Sequence, residues 1–180
     1  MIIAGIDPSL SNTAIVIFEI KENELTYLDS VTITTKPAPK KMKIRKSSDL
    51  IARCRTIYKE AHAFLAHYNP KVIILESPQG SQNASSMKSY GVSCFLAATF
   101  SPSPIEVTPE EVKKASVGRK TASKQDMIDW AFGLFPEAEW KLNKENRPQV
   151  TTEEHKADAI AVVYAGMETP DYSRIKEFFV

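Results

Sequence analysis

The stretch Met1-Ile-Ile-Ala-Gly-Ile-Asp7-Pro8-Ser-Leu-Ser-Asn12-Thr13-Ala-Ile-Val-Ile-Phe-Glu-Ile20 decides the fold. Residues 2–7 are apolar without a break until the terminal acid. A short run with no polar face reads as a strand buried on both sides. Pro8 to Asn12 is a turn built of Pro, Ser and Asn. Thr13–Ile20 returns as a second strand, Lys21-Glu-Asn-Glu24 is a polar tip, and Leu25 to about Thr35 alternates as a third. The beginning of the chain is therefore an antiparallel meander of three strands.

Working outward, Ser47-Ser48 are placed to cap a helix reaching about His67. Its apolar stripe is Leu50, Ile51, Cys54, Ile57, Tyr58, Ala61, Phe64 and Leu65. Asn69-Pro70 stops it, and Lys71 to Glu76 is a second short apolar strand that ends in an acid. About Asn83 to Phe100 is helical, with Met87, Tyr90, Cys94 and Leu96-Ala-Ala98 available for packing, and Ser101-Pro-Ser-Pro104 breaks it. Ile105–Val107 is a short edge strand. Thr108-Pro-Glu-Glu111 is a strong helix start, with a cap, a proline in the first turn and an acid at the third position. Gly118–Thr121 is a loop, and Ser123-Lys-Gln-Asp126 opens a helix ending near Phe135-Pro136. Residues 137–152 are polar and irregular. Thr152 starts the last substantial helix, which runs to about Met167.

This order predicts an α/β chain with a five-stranded mixed sheet flanked by helices, its first and fourth strands parallel neighbours. Residues 1–180 fit one domain. No segment is long and apolar enough to span a membrane. The N-terminus lacks the pattern of a secretory signal, so a cytoplasmic setting is expected. Cys54 and Cys94 fall on apolar helix faces and read as two buried free thiols.

The net charge of +1 says little, but its distribution says more. Lys36, Lys40, Lys41, Lys43, Arg45 and Lys46 follow one another with no acid between them. They take six of the 23 basic residues, leaving 17 against 22 acids. A concentrated basic patch is how a phosphate backbone is met; the bland alternative is a solvated loop. Met42 and Ile44 alternate with Lys41, Lys43 and Arg45, which on an extended chain puts two apolar groups on one side and three cations on the other.

Asp7 and Glu76 end two apolar strands, and His155 and Asp158 open a third apolar stretch, His155-Lys-Ala-Asp158-Ala-Ile-Ala-Val-Val-Tyr164. Each residue has a dull reading: a turn, a strand end facing solvent, or helix positions tolerated by the dipole. Together they are harder to dismiss, because burying a carboxylate without a partner is costly. If the strands are parallel neighbours, Asp7 and Glu76 stand at similar heights. Positions 155 and 158 share a helix face, with Cβ atoms roughly 5–6 Å apart. Glu154 is a further candidate ligand. Packed carboxylates repel one another unless cations bind, and such a set suits two divalent ions about 3.5–4 Å apart. Oxygen ligation favours Mg²⁺, and one imidazole leaves Mn²⁺ acceptable.

Gly5-Ile-Asp7-Pro8 with its Ser/Asn turn, Ile74-Leu-Glu76, Val117-Gly118 and His155-Lys-Ala-Asp158-Ala resemble, in order and over nearly the whole chain, the motifs of the RuvC family of Holliday-junction resolvases. The strand order is that of a ribonuclease H-like fold. The resemblance implies that Asp7, Glu76, His155 and Asp158 are the metal-binding catalytic set, served by two Mg²⁺. It implies that Lys113 and Lys124 contact DNA near the scissile phosphate. The basic stretch 36–46 is richer than usual in the family, and its Lys41, Lys43 and Arg45 are expected to extend the DNA surface. The resemblance further implies a homodimer acting on four-way junctions in a bacterial or phage-infected cell and leaving 5′-phosphate ends. Family members often carry a base-stacking aromatic three residues after the second acid. Here Gln79 stands there, so stacking is lost or moves to Tyr90 or another group.

Three other readings compete. An actin-like ATPase needs a glycine-rich phosphate hairpin, which Pro-Ser-Leu-Ser-Asn12 does not supply. An inert DNA-binding protein is at odds with four intact site residues. A ribonuclease H-like nuclease acting on Y-forks, flaps or RNA differs only in substrate.

Overall fold

A computed structural model describes residues 1–22, 24–77 and 84–178 of the chain. Strands β1 (Ile2–Asp7), β2 (Asn12–Lys21) and β3 (Glu24–Thr34) form the meander. Helix α1 (Lys46–Tyr68), strand β4 (Val72–Glu76), helix α2 (Ala84–Thr99) and strand β5 (Ile105–Val107) follow. Helices α3 (Pro109–Val117), α4 (Lys124–Leu134), α5 (Val150–Met167) and α6 (Pro170–Lys176) complete the described chain. The sheet order is β3-β2-β1-β4-β5, with β1 parallel to β4 and β4 parallel to β5. The five-stranded mixed sheet is thus as the apolar runs predict, and α6 is an addition.

The sheet separates two cores, and period-2 alternation decides which residue enters which. Ile3 of β1, Val72 and Ile74 of β4, and Ala14, Val16 and Phe18 of β2 pack on the α3–α5 side. Ala4, Ile6, Ile73, Leu75, Ile15 and Ile17 pack on the α1–α2 side. Continuing each strand by one step sends Asp7 and Glu76 toward α5. Running β2 back to Asn12 sends it the same way.

Helix α5 lies against β1 and β4 and is buried nearly all round from Ala159 to Val163, as expected of a helix apolar on every side. Two glycines allow the close approach. A Cβ on Gly5 would press into the Ala159 carbonyl oxygen and the Val163 side chain, and one on Gly166 into Ile74. Gly5→Ala is expected to cost about 1–3 kcal/mol through overpacking, read as a lower midpoint in urea unfolding. An unchanged midpoint would mean that α5 has room to retreat.

Several local expectations change. The α1 cap position is Arg45, with no side-chain cap, and Ser47-Ser48 lie inside the first turn. The Asp49 carboxylate instead accepts the Ala38 N–H at 2.8 Å, pinning the incoming segment. The basic segment is not extended: Lys40–Met42 is a 3₁₀ turn and Lys43 is left-handed, with φ 48°. That turn breaks the alternation and leaves Met42 and Ile44 exposed. Residues 137–149 are not structureless. Leu142 bridges Pro148, and Gln149 N–H donates to Lys141 O at 2.9 Å, so α5 starts at Val150, two residues early. Cys54 is half-buried and Cys94 exposed, so the thiols are not a buried pair. The cap expected at Thr108 forms a capping box with Glu111, and Ser123 forms another with Asp126 at the start of α4.

Candidate metal centre

The site lies where β1 and β4 end against the second and third turns of α5. Ile6 pairs with Leu75 across the parallel ladder, so Asp7 and Glu76 follow side by side. Asp7, His155 and Asp158 offer ligand atoms that all lie within 4.8 Å of one another. His155 Nδ1 is 2.7 Å from Asp7 Oδ2. This contact places a proton on Nδ1, which donates to the carboxylate oxygen. Glu76 stands outside the trio, yet it feels the charges of Asp7 and Asp158.

Burial, with the charges of Asp7 and Asp158, pushes the Glu76 carboxyl up to about 8. Burial, then Asp7, pushes Asp158 up to about 7, with Glu154 adding to the rise. Lys113 draws both acids the other way. His155 is raised by its hydrogen bond to Asp7, against the opposing effect of burial. These groups share one field: three acids face each other with too little positive charge to hold all of them ionised. The donor set is two carboxylates and one imidazole within coordinating reach, with a third carboxylate beside them. It fits a hard divalent cation, whose charge would relieve that repulsion.

The remaining expected residues are spread around this centre. Lys113 of α3 faces Glu76 and Asp158 electrostatically. Lys124, at the start of α4, pairs with Glu154 at 2.6 Å and senses Asp158 and Asp7. Glu154 Oε1 is 3.5 Å from His155 Nε2, which makes it a neighbour of the trio rather than a member. Lys41, Lys43 and Arg45 are exposed in the basic segment, and no described contact ties them to the trio. Gln79 lies outside the described residues. Tyr90 is half-buried on α2.

Sequence reasoning missed Asn12. Its amide nitrogen is 3.5 Å from His155 Nε2, while Thr34 Oγ1 donates to its Oδ1 at 3.0 Å. The signal was the turn itself: Ser9 Oγ accepts the Asn12 N–H at 2.9 Å, and Thr13 Oγ1 donates to Ser9 O at 2.7 Å. These bonds fix the turn that carries Asn12 to the site.

The family model described as crossover junction endodeoxyribonuclease RuvC matches residues 3–165. The crossover junction endodeoxyribonuclease RuvC of Alkaliphilus oremlandii is 27% identical, over 97% of this chain and 98% of its own. That of a Janthinobacterium species is 31% identical, over 71% and 69%. The solved structure of T. thermophilus RuvC in complex with Holliday junction substrate has a TM-score of 0.62 at 20% identity, covering 92% of each chain. That structural likeness carries the fold, which is the ribonuclease H-like one expected from the strand order.

Proposed function

The chain belongs to the RuvC family of crossover junction endodeoxyribonucleases, and from that membership and the site geometry we propose that it resolves four-way DNA junctions by metal-dependent hydrolysis at Asp7, Glu76, His155 and Asp158. The observation that supports this reading most is the convergence of Asp7, His155 and Asp158 within 4.8 Å, with the charge-strained Glu76 beside them.

Two Mg²⁺ ions, with Mn²⁺ accepted, would supply a water acidic enough to attack phosphorus and neutralise charge on the leaving 3′ oxygen. Asp7, Glu76 and Asp158 are the acids that would hold the ions, with Asp7 acting electrostatically on both of the others. His155 is oriented by the contact of its Nδ1 with Asp7 and stands beside the acids as ligand or proton acceptor. Lys113 lies where it counters negative charge at Glu76 and Asp158, and with Lys124 offsets the charge that develops on the phosphate. The products are a 5′-phosphate and a 3′-hydroxyl. A panel of four-way junctions, Y-forks, flaps and RNA-containing duplexes, each with Mg²⁺, Mn²⁺ or Ca²⁺, tests the substrate. Preferred cutting of the four-way junction is expected; preferred cutting of a flap or an RNA hybrid would replace it.

Paired cuts across a junction call for two copies of this site, and the proposal includes a homodimer. The face that suits the second copy is the groove of about 800 Å³ between α1 and α2. Ile51, Tyr58, Met87 and Phe95 are all at least 40% exposed there, a clustering that marks interaction surfaces. An isologous contact through one such face closes a dimer. Phe95→Glu combined with Ile51→Glu is expected to convert the dimer to monomer in sedimentation velocity and to uncouple the two incisions. A variant that remains dimeric would place the interface elsewhere.

A further inference from the structure

A polar groove of about 570 Å³ runs beside the metal trio, between β3 and the start of α5. Thr32, Thr34 and Lys36 form one wall; Lys141 and Thr152 form the other. Asn12 lies at the end nearest the trio, with its amide at His155. The register explains the wall. Thr34 pairs with Asn12 and Thr32 with Ala14, so their side chains share the α5 side of the sheet.

The charges of the groove do not cancel evenly. Glu153 and Lys156 neutralise each other as an ion pair at 3.0 Å. Lys36 and Lys141 are exposed, form no ion pair among the described residues, and share the groove with one other acid, Glu139. From Lys36 the chain leads directly into the exposed cations Lys40, Lys41, Lys43 and Arg45. Hydroxyls and ammonium groups therefore continue from the reacting centre to the basic segment. Hydroxyl, amide and lysine side chains without an aromatic platform are the groups that hold a sugar–phosphate backbone and leave its bases unread.

We propose that this groove seats the phosphodiester strand continuing from the scissile phosphate, and that the basic segment extends the same track. The proposal rests on the endonuclease reading above. It gives Thr32, Lys36, Lys141 and Thr152 a substrate-positioning role, independent of sequence.

The test is binding of a fluorescent four-way junction in Ca²⁺ at several salt concentrations, using the parent, Lys36→Ala, Lys141→Ala and the double variant. Each lysine is expected to lower the slope of log affinity against log salt by about one. The double variant should lose about two, by the same margin for junctions of different arm sequence. Thr32→Val with Thr152→Val should weaken binding with little change in slope. Mn²⁺ binding, followed by electron paramagnetic resonance, should match the parent, because the trio is untouched. A double variant with the parent's slope and affinity overturns the groove while the endonuclease reading stands. A parent protein that binds no junction overturns both.

Discussion

Asp7→Asn is expected to remove junction cleavage while junction binding stays equal or becomes tighter. Asp7 touches His155 and shares the trio with Asp158, so its loss should exceed the roughly 10–100-fold that follows loss of a group behind a ligand. The fold should survive. An asparagine oxygen can still accept the His155 Nδ1–H, and one like charge leaves a crowded cluster. Thermal unfolding should therefore occur no lower than in the parent without divalent ions, because burial and Asp7 together are what raise Glu76 and Asp158. Binding benefits for the same reason: the phosphate then approaches one fewer negative charge. Single-turnover cleavage and gel-shift binding in parallel read both effects. Parent-like cutting in Mg²⁺ would falsify the assignment of Asp7.

The second large effect is a dependence of metal-induced stability on pH. Folding raises Glu76 from 4.5 to about 8 and Asp158 from 3.8 to about 7. Both acids hold protons more tightly folded than unfolded. Their contribution to the metal-free protein is whole below about pH 4 and is lost as pH rises through 7 and 8. A divalent cation must displace those protons, so its hold strengthens over the same window. At a hundredfold excess over Kd the cation adds about 2.7 kcal/mol, which for a chain of this size is about 5–10 °C in Tm. The increment from Mg²⁺ or Mn²⁺ should be small at pH 6, approach its full size by pH 8.5, and vanish with a chelator. It should also shrink in Asp7→Asn. An increment that is constant from pH 6 to 8.5 would place the bound cation away from these acids.

The legible part of this molecule was the part written in unbroken apolar runs. Ile2–Ile6 and Val72–Leu75 carry no polar face, so they had to be central strands, and an acid ending each had to lie at the sheet's rim. The i, i+3 spacing of His155 and Asp158 puts them on one helix face from sequence alone. What escaped depends on contacts between distant segments. Asn12 reaches His155 because of the β1–β2 register and the Ser9–Thr13 turn. Lys124 pairs with Glu154 only because α4 packs on α5. The α1 stripe was misleading in another way. Ile51 and Tyr58 have core spacing but lie exposed on the α1–α2 groove, because periodicity marks an apolar face and cannot say whether the core or another molecule covers it. The basic segment lost its alternation to a 3₁₀ turn that no proline or glycine at residues 40–42 announces.

The most direct measurement is the fate of a synthetic four-way junction incubated with the protein and Mg²⁺. Two symmetric nicks are expected, giving linear duplexes whose 5′-phosphate and 3′-hydroxyl ends a ligase seals without further treatment. A junction that is bound but remains uncut in both Mg²⁺ and Mn²⁺ would contradict the assignment of Asp7, Glu76, His155 and Asp158 as a hydrolytic metal centre.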